Sequence, residues 1–156
     1  LAEREKTMSD NGLRITALNG LLMILFGMFL AGFPLVWVVV ATAYPGLPAP
    51  HASGDYRAWN MAHLEGLLNG MLVLLIALVT RVKPMSAGVE RILIAGLCIG
   101  GWGNTIASFI APLLGVRGMV FDSHPANNLV TGVFTIALVG SLTAFVVAIR
   151  HLSRRG

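Results

Sequence analysis

The sequence reads as all-α: an integral membrane protein whose four transmembrane helices form one bundle, with both termini cytoplasmic. Three observations predict this. Of the 156 residues, 56% are hydrophobic and only 12% charged, roughly half the charge of a soluble domain. Four largely apolar runs each reach about 18 residues or more, enough to cross a hydrocarbon core of roughly 30 Å. Lys and Arg gather on one side of those runs. Arg4, Lys6, Arg14, Arg81, Lys83, Arg91, Arg150, Arg154 and Arg155 lie on the side shared by the termini, against Arg57 and Arg117 on the other. The positive-inside bias therefore assigns the termini to the cytoplasm.

Residues 1–14 form a polar tail of mixed charge with Glu3, Arg4, Glu5, Lys6 and Asp10, and 15–150 form a single membrane domain. The first span covers 16–43 and stops at the turn signal Tyr44-Pro45-Gly46. Ala41-Thr42-Ala43 imitates a signal-peptidase site, but the apolar run before it is far longer than the ~7–15 residues of a signal sequence, so the span is expected to be retained. A Pro- and Gly-containing loop with His51 leads to the second span, 60–80, which closes on Arg81, Lys83 and Pro84. The third covers 89–114. Gly115-Val116-Arg117-Gly118 opens the next loop, which continues through Asp122, His124 and Pro125 to the fourth span, 127–149. The basic stretch 151–156, with His151, Arg154 and Arg155, ends the sequence.

The net charge of +4 does not signal a nucleic-acid partner, because the cations sit at the ends of apolar runs rather than along one face. Cys98 is the single cysteine, so an intrachain disulfide is excluded; inside an apolar run it reads as a small core residue.

Chemistry is sought among polar side chains at membrane depth, which cost free energy unless they have a partner or a task. The second span holds His63, Glu65 and Asn69; the third holds Asn104, Thr105 and Ser108, with Trp102 among Gly100, Gly101 and Gly103. His63 and Ser108 each lie a few residues from the outer ends of their spans. Asn69 and Asn104 lie about ten residues in, roughly 15 Å deep at 1.5 Å per residue. These matching levels on antiparallel neighbours suggest a polar pocket between spans two and three. His63, Gly66 and Gly70 follow one helical stripe, and Gly96, Gly100, Asn104 and Ser108 another. Small residues on such stripes also serve close helix packing.

His63 alone leaves three uses open: a hydrogen-bonded core residue, a proton relay with Glu65, or an axial metal or haem ligand. Glu65 stands roughly 200° around the helix from His63, so the two do not readily share a site in one protomer. His51, His124 and His151 lie in loops or the tail. No second histidine shares the depth of His63, which disfavours a bis-histidine cytochrome, and no CxxCH motif offers covalent haem attachment.

The stretch Ala62-His63-Leu64-Glu65-Gly66-Leu67-Leu68-Asn69-Gly70-Met71, followed by Gly101-Trp102-Gly103-Asn104 and by Arg117-Gly118, resembles the bacterial styrene oxide isomerases, small four-helix enzymes of the cytoplasmic membrane. The resemblance covers length and layout, and its specific part lies in spans two and three and the loop after them. It implies a multi-pass protein of the bacterial inner membrane that assembles as a homotrimer. It further implies haem b near subunit contacts, with His63 as iron ligand, and Asn69, Trp102 and Asn104 beside the cofactor. The implied reaction, part of styrene degradation, converts a small hydrophobic aryl epoxide to an aldehyde. Ferric iron acts on the epoxide oxygen as a Lewis acid while a hydride shifts, with no net redox. Asn69, Asn104 and Ser108 occupy the catalytic positions. Ser108 stands where the family has a tyrosine, and Glu65 where it has a small residue. Two other classes of function remain open on the residues: a non-catalytic haem-binding membrane subunit of an oxygenase or redox system, and a small transporter using Glu65 and His63.

Overall fold

The computed structural model describes residues 8–46 and 53–153, and the described residues fold as four long helices with no strand among them. They are α1, Asp10–Ala43 (34 residues); α2, Tyr56–Thr80 (25); α3, Ala87–Leu113 (27); and α4, Pro125–Ser153 (29). Each is long and apolar enough to cross a bilayer. The tail residues 1–7 and 154–156, with Arg4, Lys6, Arg154 and Arg155, and His51 in the first loop lie outside the described residues.

The helices start earlier than the apolar runs, because polar capping residues rather than hydrophobicity set their first turns. Ser9 caps α1 by accepting the Gly12 amide at 2.9 Å, and Asp55 caps α2 by accepting the Ala58 amide at 2.8 Å. Pro125, which has no amide hydrogen to leave unpaired, opens α4. Residues 10–14, expected in the tail, are therefore helical, as are 151–153.

The first helix is not regular. Its turn Phe26–Ala31 widens to a π-helix before resuming as an α-helix at Gly32. Pro34 follows within four residues of Leu30. It cannot donate to the Leu30 carbonyl and its ring crowds that carbonyl, so the chain widens just ahead of it.

Each helix packs mainly on its neighbours in sequence: α1 on α2, α2 on α3, and α3 on α4, with a smaller contact of α1 on α3. The apolar stretches of α2 and α3 are 39% and 44% buried against 22% for α1 and for α4, so α2 and α3 make the centre and the outer two flank it. The α1–α2 seam closes to backbone contact where Gly27 meets Gly66; a Cβ added at Gly66 would lie 2.5 Å from the Gly27 Cα. The α3–α4 seam uses Gly96 and Gly100 against Gly140, Ser141 and Ala144.

One end of the bundle gathers the start of α1, the α2–α3 connection and the end of α4. Met8, Met85 and Ala148 share a buried cluster there with Leu93 and Leu97. Buried Glu90, in the first turn of α3, accepts the Ser9 hydroxyl at 2.5 Å and the Ser9 amide at 3.2 Å, and Lys83 Nζ donates to the Leu152 carbonyl at 2.9 Å. Both ends of the described chain therefore lie on one side of the membrane-length helices.

Candidate functional site

His63 lies in the second turn of α2, on the side that faces the widened turn of α1. Its Nδ1 is 2.9 Å from the Gly27 carbonyl oxygen. A carbonyl only accepts, so Nδ1 carries the proton and the lone pair of the ring resides on Nε2. Nε2 makes no hydrogen bond with any described residue and is not among the enclosed, unpartnered polar atoms of the structure. It therefore points to a half-open surface of the protomer. Gly32, also without a side chain, lies beside the ring, where an added Cβ would be 3.4 Å from Nδ1. The imidazole is thus oriented by backbone, with its second nitrogen left without a hydrogen bond to a described residue.

An aromatic cluster joins three helices. Phe26 stands edge-on to Trp102 at 6.0 Å and to Phe109 at 5.0 Å, and Trp59 packs on Phe109 at 5.6 Å. Trp102, expected beside a cofactor, turns its Nε1–H to the Asn19 side-chain oxygen at 2.8 Å. Trp59 donates its own to the Ser53 carbonyl at 2.6 Å. Thr105 is fully buried in α3 and its hydroxyl has no partner among the described residues.

The other sequence-selected residues sit elsewhere. Asn69 is buried, and its Nδ2 donates to Glu65 Oε2 at 2.7 Å, one turn earlier on α2. Met61, Glu65 and Asn69 recur at four-residue steps and so share a stripe, roughly 200° around α2 from His63 in the case of Glu65. Half-buried Asn104 makes no side-chain hydrogen bond with a described residue. Buried Ser108 lines a cleft of about 430 Å³ at the end away from the termini, together with Met61, Ala111, Met119 and Phe134.

The pocket expected from matching depths is therefore two places in one protomer. His63 is on the α1 side of α2, and Glu65, Asn69 and Ser108 are on the opposite side or beyond it. Depth was countable from the sequence, but azimuth depends on which neighbour each face meets. Two participants were missed: the Gly27 carbonyl, which no side-chain pattern reveals, and Asn19, a polar residue inside the first apolar run whose position was a usable signal.

Among the described residues no three His, Cys, Asp or Glu side chains gather. A metal at His63 would take its other ligands from a different source, which a porphyrin provides, and the free Nε2 on an open face fits such a group.

The model of the family described as styrene oxide isomerase matches residues 13–153. No curated protein matches the chain.

Proposed function

The chain belongs to the styrene oxide isomerase family, and on that premise we propose that it isomerises a small aryl-bearing epoxide to the aldehyde, with haem b bound through His63. The observation that carries the reading is the hydrogen bond from His63 Nδ1 to the Gly27 carbonyl, because metal-bound histidines are characteristically oriented by such a partner on the other nitrogen. His63 would hold the haem, and a ferric haem held there would supply Lewis-acid polarisation of an epoxide oxygen.

The chain's own groups do the rest. As the C–O bond breaks, the oxygen gains negative charge and the adjacent carbon becomes electron-poor. A hydrogen then moves with its electron pair to that carbon and the C=O forms, so no electrons enter or leave. Asn104, whose amide makes no hydrogen bond with a described residue, and Asn69, which keeps a second N–H beyond its bond to Glu65, offer donors that orient the oxygen. The Phe26, Trp59, Trp102 and Phe109 wall keeps water away from the electron-poor carbon. Ser108, shorter than a tyrosine, leaves space for a bulkier ring and gives up the reach of a phenol.

His63 and Asn69 occupy different faces of α2, and Ser108 lies on α3. A second copy of the chain is therefore what brings one protomer's His63 against the other face of its neighbour, and the assembly in this reading is a trimer in a bacterial cytoplasmic membrane. Nine basic residues against two support cytoplasmic termini.

The test is an absorption spectrum of the detergent-purified protein, before and after dithionite, followed by styrene oxide with product detection, alongside His63→Ala. A Soret band, lost in His63→Ala, together with aldehyde formation is expected. A band without aldehyde leaves a haem-binding subunit of another system. A normal band in His63→Ala removes the ligand assignment.

A further inference from the structure

The end of the bundle away from the termini carries two arginines that the isomerase reading does not use. The cleft of about 430 Å³ that reaches Ser108 is walled by Met61, Ala111, Val116, Met119 and Phe134. Its rim carries Arg57 and Arg117, the two cations on that side of the spans. Neither guanidinium has a hydrogen bond or ion pair with another described residue. Among the described lining residues the carboxylate is Asp55, whose Oδ1 is engaged as the cap of α2.

Arg117 is presented by a fixed turn. It lies between Gly115 and Gly118, whose φ values of +65° and +66° are left-handed. The Gly118 amide donates to Asn127 Oδ1 at 2.8 Å, and Asn127 Nδ2 donates in turn to the Val120 carbonyl at 2.6 Å, which pins the turn to α4. Directly after it, Met119, Val120 and Phe121 are 73%, 66% and 66% exposed. Three consecutive exposed apolar side chains at the end of membrane-length helices belong in the interfacial layer of a bilayer.

We propose that this cleft binds one anionic phospholipid per protomer, its phosphate between Arg57 and Arg117 and an acyl chain along Met61, Met119 and Phe134. Guanidinium groups offer paired N–H donors that match phosphate oxygens, and basic pockets between membrane helices take lipid headgroups of this kind. A soluble anion would leave the apolar walls and the Met119–Phe121 segment without a counterpart. A zwitterionic lipid would bring its own cation to two unpaired arginines. Binding at this rim needs no haem, and because the same cleft reaches Ser108 it is read by lipid retention rather than by epoxide turnover.

The experiment is native mass spectrometry of the detergent-purified full chain, supplied in turn with phosphatidylglycerol, phosphatidylcholine and soluble glycerol 3-phosphate. Phosphatidylglycerol is expected to be retained at one per protomer and in preference to the other two. Arg57→Gln and Arg117→Gln should each weaken retention about fivefold and the pair about thirtyfold, from about 1 kcal/mol per interfacial cation. Helical circular dichroism should be unchanged in the single variants, which suffice if the double variant does not fold. Equal retention of phosphatidylcholine, equal binding of glycerol 3-phosphate, or full phosphatidylglycerol retention in both single variants would overturn the proposal.

Discussion

An imidazole that gives its Nδ1 proton to a backbone carbonyl has one nitrogen left for a metal, and Gly27 holds His63 in that tautomer. This relation lies beyond sequence reasoning, since Gly27 enters through its carbonyl rather than through a side chain. His63 itself was legible, as were Asn69, Asn104 and Ser108, because polar groups stand out in apolar helices. Which of them face one another was not. Ser108 carries the sharpest prediction at this scale. It lines the cleft with a hydroxyl where the resemblance implies a phenol, so on the proposed function Ser108→Tyr should raise turnover of aryl epoxides by about tenfold or more, the scale of one well-placed polar group. Product formation from styrene oxide measures it, and no gain would mean that the cleft serves a different substrate.

At the scale of the helices, the seam between α1 and α2 rests on the absence of side chains. Gly27 and Gly66 approach to backbone contact, and the widened turn Phe26–Ala31 lies at that crossing. Gly66→Val should force the two helices apart and cost about 1–3 kcal/mol, read as a lower unfolding temperature in detergent. It should also loosen the His63–Gly27 bond, because the same crossing sets that distance. Gly132→Ala is the control: an added Cβ there meets nothing within 4 Å, and stability should stay within about 0.5 kcal/mol. The four helices were legible from length and hydropathy, since the bilayer imposes both. Their true starts at Ser9 and Asp55 depend on local caps, which hydropathy does not weigh. The π turn needed Pro34 to be read against Leu30 rather than as one more residue of an apolar run.

Across the whole molecule, α2 and α3 form the centre, α1 and α4 flank them, and each helix lies mainly against those beside it in sequence. That order bears on how the protein is made. Chains emerge from the ribosome N-terminus first, and here each helix after the first enters beside a neighbour in sequence that it packs against, with no wait for a distant segment and little chain entropy spent on closing long loops. The α1–α2 and α3–α4 hairpins should then behave as separately insertable halves. Cutting the gene within the 81–86 connection and producing the two pieces together should restore a complex that co-purifies, held by the α2–α3 contact and by the Ser9–Glu90 hydrogen bonds that span the cut. Failure of the halves to associate would mean that assembly depends on the continuous chain, and biogenesis would then be a concerted rather than a stepwise event.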